Sequence, residues 1–254
     1  MSEIHPDVKA FNGIWPGGYW EGDPRDPHGR SAYSVFDVSQ GYADQERLKH
    51  ERSIATEELG ALSALYVTYL MCIRGRVQGA KVLEIGPGRG AWSKAIMDEG
   101  ADLLYALDAL SADHNGFYPY VDPDGKYKGK VQYLQVKDFS CDVPDGIQFD
   151  FFFSFGCFCH IRRHGTAEYF GNIYRRMRPG AEGFVMISDY EKMAKALGTP
   201  FNPENIVEGG SGTGVPWSHL GVEWFCQMLA SNGFTVLNRD IQCNMRDPIV
   251  HFRR

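Results

Sequence analysis

The chain has 254 residues, of which 43% are hydrophobic and 23% charged, the balance of an ordinary globular protein. That composition excludes a disordered tail, a collagen-like fibre and a coiled-coil rod. With 32 acidic and 26 basic side chains the formal charge is −6, which argues against a broad nucleic-acid binder, whose affinity rests on cationic contacts to phosphate.

Residues 1–42 are rich in Gly, Pro, Trp and Tyr without a sustained period, and read as an irregular arm. Over residues 43–74, Leu59, Leu62, Leu65, Tyr66, Tyr69, Leu70 and Ile73 recur at helical spacing. Residues 1–79 are therefore expected to form an N-terminal aromatic arm and helical lid. From residue 80 short apolar runs alternate with helix-period segments. Strands are predicted at Lys81–Ile85, Leu103–Leu107, Val131–Val136, Phe149–Phe155 and Gly183–Ser188. Two closing strands are predicted at Phe234–Leu237 and Ile249–Phe252. Helices are expected around Trp92–Ile96 with Gly100 as stop, around Phe170–Met177 before Arg178-Pro179-Gly180, and around Val222–Leu229 before Asn232-Gly233. This alternation predicts an α/β fold, a parallel sheet with helices on both faces. The last two strands are joined by about ten residues, too few for a crossover helix, so the last strand should run antiparallel. Two turn-rich insertions, residues 109–130 and 189–220, follow strand ends on the face where open α/β sheets bind ligands.

No run of 18 apolar residues offers a membrane span. The first residues lack the basic and apolar regions of an export signal, so a cytoplasmic location is expected. The six cysteines are then expected to be free thiols. Cys157 and Cys159 have no partner pair at zinc-finger spacing.

The segment Val82-Leu83-Glu84-Ile85-Gly86-Pro87-Gly88-Arg89-Gly90 leads from a strand through a glycine turn into a helix. Glycines there let a ligand approach backbone closely at a helix N-terminus. Gly86, Gly88 and Ala91 also satisfy the dinucleotide pattern G-x-G-x-x-G/A. Glu84, at the strand's mouth, would repel a pyrophosphate and attract an ammonium group, directly or through water. Asp108 ends the next strand, where one carboxylate can accept from two ribose hydroxyls. Asp138-Phe139 follows the third strand, where an acid could accept from an adenine amino group and a ring could pack on the base. Taken alone Asp138 reads as a turn or helix cap before Ser140, but its place after the third strand favours the adenine contact.

These segments in this order resemble the class I S-adenosylmethionine-dependent methyltransferases. The glycine segment resembles their first motif, Asp108 the ribose-binding acid, and Asp138-Phe139 the adenine loop. Phe149-Asp150-Phe151-Phe152-Phe153-Ser154 resembles the fourth-strand motif, and Met177-Arg178-Pro179-Gly180 the turn before strand five. The joint at Ser231-Asn232-Gly233-Phe234 resembles the one that leads from the last helix into its strand. The resemblance covers about residues 80–252, taken as the catalytic domain 80–254. It implies a Rossmann-like seven-stranded sheet with an antiparallel last strand, and S-adenosylmethionine as cofactor. It also implies cofactor contacts from Glu84, Gly86, Pro87, Gly88, Gly90, Asp108, Ala109, Asp138, Phe139 and Ser154.

A small-molecule acceptor is expected, with neither nucleic acid nor membrane as partner. O-methylation of a hydroxylated molecule such as a sugar or natural-product intermediate leads, because an alcohol needs a base and histidines stand near the methyl position. His160, after the fourth strand, is the first candidate base and His219 the second. N-methylation and a catalytically silent binding partner are the alternatives. Trp20, Tyr118 and Trp217 are candidates for substrate contact through their ring faces. No Asp-Asp-Asn trio stands at the positions used by metal-dependent catechol-type enzymes, so no metal is expected.

Overall fold

Every strand predicted from residue 80 onward joins a single sheet, and each is placed by which of its faces is apolar. The computed structural model describes residues 4–12, 22–27, 35–37, 61–196, 198, 200–201, 218–244 and 247–254. In chain order the elements are α1 (Pro6–Asn12), β1 (Val35–Asp37), β2 (Ala61–Ser63), α2 (Ala64–Cys72), β3 (Lys81–Ile85), α3 (Ala91–Asp98) and β4 (Leu103–Asp108). Next come α4 (Ala112–Asn115), α5 (Phe117–Val121), β5 (Val131–Gln135), β6 (Phe149–Ser154) and a single 3₁₀ turn at Phe158–His160. The chain continues through α6 (Arg163–Arg176), β7 (Met177–Met186), α7 (Tyr190–Ala196), α8 (Val222–Ser231), β8 (Thr235–Asn238) and β9 (Ile249–Arg253).

The seven-stranded sheet has the order β5-β4-β3-β6-β7-β9-β8. The pairs among β3 to β7 are parallel. β9 runs antiparallel between β7 and β8, the orientation that the short connection required. Alternation along the strands sorts the core. Val82, Leu104, Ala106, Phe151 and Phe153 pack on one face with α2, α3 and α5. Leu83, Ile85, Tyr105, Leu107 and Phe152 pack on the other with α6 and α8. β6 is apolar toward both faces because it lies inside a sheet covered on both sides.

Three sequence expectations are corrected in detail. The helical pattern of residues 43–74 yields a helix only over Ala64–Cys72 among the described residues, and Leu62 lies in β2, paired with Phe36 of β1. Met177 is not in the helix but begins β7, and Arg178-Pro179-Gly180 lies within that strand. The strand starts early because Met177 pairs with Phe149 and the Gly180 N–H donates to the Arg254 carbonyl at 2.8 Å. The turn-rich insertion 109–130 carries two short helices, with Gly116 at φ 61° serving as C-cap of α4 and N-cap of α5. None of the helices among the described residues is long and apolar enough to cross a membrane.

Candidate active site

β3 lies between β4 and β6, and the connections leaving β3 and β4 toward one side and β6 toward the other open a crevice at the strands' carboxyl ends. A cleft occupies it, enclosing about 1040 Å³ of atom-free space including its mouth, ample for a nucleoside-sized ligand. Its floor is the glycine turn, residues 86–90. Gly86 has φ +73°, and a Cβ there would lie 2.4 Å from the Cβ of Cys157, so both torsion and space demand glycine. Gly90, at φ +97°, abuts Val121 and Phe117 of α5. Gly88 has φ +54° but open space where a Cβ would stand, so its bare backbone faces the cleft. α3 starts directly after Gly90 with no side-chain cap, leaving its first N–H groups for a ligand or water.

Asp108 ends β4 and lines the cleft, 8% exposed. Its two oxygens accept from Leu110 N at 2.9 Å and Gly88 N at 3.1 Å. Burial pushes its carboxyl up, against those backbone bonds and the neighbouring Asn115 side chain. The Asn115 amide donates to it as well, and the carboxylate lines the cleft, where a ligand's donors can reach it.

Glu84 is buried beneath the glycine turn and does not line the cleft. Ser93 Oγ of α3 donates to its Oε2 at 2.5 Å. Burial raises its carboxyl to about 8, with the Ser93 bond opposing and the charge of Asp108 adding. Burial thus favours the protonated carboxyl in the folded chain.

The cofactor residues expected from the sequence divide into two groups. Gly86, Pro87, Gly88, Gly90, Asp108, Ala109 and Phe139 all line the cleft. Glu84, Asp138 and Ser154 do not. Ser154 is 1% exposed and its Oγ donates to Ile85 O at 2.7 Å, locking the ends of β6 and β3 together. Asp138 accepts from Ser140 N at 2.9 Å in a local turn, between the cleft-lining Val136 and Phe139.

His160 lines the cleft beside Gly156 and Cys157. Burial pushes the Cys157 thiol upward, so it stays protonated. His219 is not among the residues lining the cleft. Its Nδ1 accepts from Tyr190 N at 3.1 Å, which in the neutral ring leaves the hydrogen on Nε2. Tyr118 is 41% exposed on α5, away from the cleft, and its hydroxyl accepts from Tyr133 N of the edge strand β5 at 3.2 Å. Trp20 and Trp217 lie outside the described residues.

The cleft also gathers residues that the sequence reading did not single out as site residues. Asp7 and Val8 of α1 line it. α1 is held by His5 N donating to Lys137 O at 2.8 Å and by Asp7 facing His164 at 3.1 Å and Arg162 at 3.6 Å. Pro6 followed by Asp7 is a helix-start signal that could have revealed this element. Trp92 packs on Phe153 and Phe155 at ring-centroid distances of 5.0 and 4.9 Å. Asn115, 1% exposed, completes the wall next to Asp108. Asn115 precedes Gly116, and that pair reads as a loop, so nothing in the pattern marked it as a cleft residue.

The methyltransferase domain family matches the chain over residues 67–198. No curated protein sequence matches it. Among solved structures it is similar to an S-adenosylmethionine-dependent methyltransferase from Mesorhizobium loti, with 20% identity and a TM-score of 0.56 over 70% of this chain and 93% of that one. It is also similar to the DhpI complex with S-adenosylhomocysteine, with 17% identity and a TM-score of 0.52 over 83% of this chain and 88% of that one. The magnesium protoporphyrin IX methyltransferase of Synechocystis PCC 6803, with bound S-adenosylhomocysteine, shares 14% identity and a TM-score of 0.50 over 85% of this chain and 89% of that one. At these identities the likeness to solved structures is one of fold.

Proposed function

The chain belongs to the methyltransferase domain family, as an S-adenosylmethionine-dependent methyltransferase, and from that premise we propose that it O-methylates a small hydroxylated molecule with His160 as general base. The observation that carries this reading is the position of His160, the imidazole among the described cleft-lining residues, in the wall beside Gly156 and Cys157.

The cleft's residues fit the cofactor. Asp108 presents a carboxylate to the cleft where ribose hydroxyls can donate to it, and the space over Gly88 admits a ligand against bare backbone. Ala109, Val136 and Phe139 offer an apolar surface for a base. Glu84, through a water or a small shift of the glycine turn, balances an ammonium group. S-adenosylmethionine supplies the methyl group and the sulfonium leaving group when bound.

The protein's part is then positioning and proton removal. Trp92, Phe155 and Ile161 present apolar surface near His160 that keeps water from the acceptor. In this reading the acceptor hydroxyl would donate to an imidazole nitrogen of His160, which would hold the proton that the acceptor gives up. A diffusible acceptor in the cytosol, and neither nucleic acid nor membrane, suits a narrow apolar cleft on a chain of net charge −6.

His160→Ala is expected to lower kcat by ~10²–10⁴-fold. Affinity for S-adenosylhomocysteine in titration calorimetry should stay within a factor of two. Unchanged turnover removes His160 as the base, whereas loss of affinity assigns it to the cofactor.

A further inference from the structure

Asn115 carries a buried polar atom with no use inside the folded chain. The side-chain Oδ1 is buried and has no hydrogen-bond partner, in a residue that is 1% exposed and lines the cleft. The amide's orientation is fixed by its neighbours. Tyr133 OH directs its hydrogen to Leu110 O at 2.8 Å, so it can only accept from Asn115, and Nδ2 donates to it at 2.9 Å. A reversed amide would set two acceptors against the one hydroxyl hydrogen, leaving either its own oxygen or Leu110 O without a donor. The oxygen is therefore the free end, held as an acceptor by a relay that runs from Leu110 through Tyr133.

That relay begins two residues from Asp108, whose Oδ1 accepts from Leu110 N. The Asn115 amide is also one of the groups that hydrogen-bond toward the Asp108 carboxylate. Two acceptors, one charged and one neutral, thus stand side by side on the same wall. A buried acceptor left without a donor destabilises the fold, and such atoms in native proteins point to a ligand or a bound water. Two adjacent acceptors call for a ligand with two adjacent donors, which is the pattern of a vicinal diol.

We propose that Asn115 is a cofactor-positioning residue whose Oδ1 accepts from one ribose hydroxyl of S-adenosylmethionine, while Asp108 accepts from the other. This rests on the reading that the cleft holds that cofactor with its ribose at Asp108. The charged acceptor fixes the diol in place, and the neutral one selects for the second hydroxyl.

The test compares S-adenosylhomocysteine with its 2′-deoxy and 3′-deoxy analogues by titration calorimetry on the full chain and on Asn115→Leu. For the wild-type chain, each missing hydroxyl should weaken binding, the one facing Asn115 by about tenfold. For Asn115→Leu that same analogue should bind as well as the parent compound, while the other analogue still loses affinity. Equal losses in both proteins for both analogues overturn the proposal and leave Asn115 a wall residue only. If Asn115→Leu fails to fold, a crystal structure of the wild-type chain with S-adenosylhomocysteine decides. Oδ1 within ordinary hydrogen-bond distance of a ribose hydroxyl supports the assignment, and Oδ1 facing neither hydroxyl overturns it. Failure of the wild-type chain to bind S-adenosylhomocysteine at all is a different result. It removes the ribose reading of Asp108 together with this one.

Discussion

Glu84 shows what a single buried carboxyl does to the stability of the fold. Its folded value near 8 lies above the ordinary 4.5. Between those values the folded chain holds a proton that the unfolded chain releases, so the ligand-free protein loses stability as pH rises through that window. Glu84→Gln keeps the Ser93 contact without the charge. It should flatten the decline between about pH 5 and pH 8 and raise stability at pH 8 by on the order of a few kcal/mol, read from urea unfolding at each pH. The same variant should bind S-adenosylhomocysteine ~10-fold or more weakly, because the charge that would balance the ammonium is gone. Retained affinity would detach Glu84 from the cofactor. The glycine turn makes a second comparison at this scale. Gly86→Ala meets both a positive φ and Cys157, whereas Gly88→Ala meets only the torsion. Gly86→Ala should destabilise by ~3 kcal/mol or more and Gly88→Ala by ~1–2 kcal/mol in denaturant titrations. The glycine spacing was legible in the sequence. The neighbour that enforces Gly86, Cys157, was not, because it arrives from the connection after β6, some seventy residues away.

Elements are tied together by charge as well as by packing, and α3 gives the clearest case. Asp98 ends this helix, where the macrodipole disfavours an acid. The carboxylate is nonetheless held below its ordinary range. Burial works against it, but Tyr127 OH, Lys94 and Arg25 donate to it. One carboxylate thus joins the segment around Arg25, α3 and the loop before β5. A depressed acid contributes stability that is complete above its unfolded value of 3.8 and is lost as pH falls below it. Asp98→Asn should cost ~1–3 kcal/mol at pH 7 and make the acid limb of the stability curve shallower, followed by circular dichroism from pH 6 to pH 2. An unchanged acid limb would show that the cluster is solvated rather than stabilising. At this scale the sequence revealed types better than limits. The β3 limits were read correctly because Lys81 and Gly86 punctuate the run. β7 was read too short, since Pro179 and Gly180 usually mark a turn, and only the partner strands β6 and β9 keep them extended. α1 passed unnoticed because seven residues carry too little periodicity, yet it helps wall the cleft.

Across the whole molecule, one of the two core layers is knit together by phenylalanines from distant parts of the chain. Phe252 of β9 stands 4.9 Å from Phe234, 5.7 Å from Phe170 and 5.8 Å from Phe152, ring centre to ring centre. Gly183 makes room for it, since a Cβ there would lie 2.5 Å from its Cζ. Phe252→Ala should cost ~3–5 kcal/mol and lower the midpoint of one cooperative transition. Two separated transitions would show that β8 and β9 melt apart from the parallel strands. The parallel sheet and the reversed last strand were legible in advance from the strand–helix alternation and one short connection, whereas the order of the strands was not. The cleft's walls were legible only in part, since the residues that follow β3, β4, β5 and β6 converge through topology, and no local pattern records that convergence. β9, moreover, is the final strand in sequence and yet sits second from the sheet's margin, giving β7 and β8 their shared neighbour. A polypeptide released from the ribosome before residue 249 would leave β8 stranded and bare the flank of β7. Loss of that one strand would therefore unpair two ladders at once and bare the backbone donors and acceptors of both neighbours.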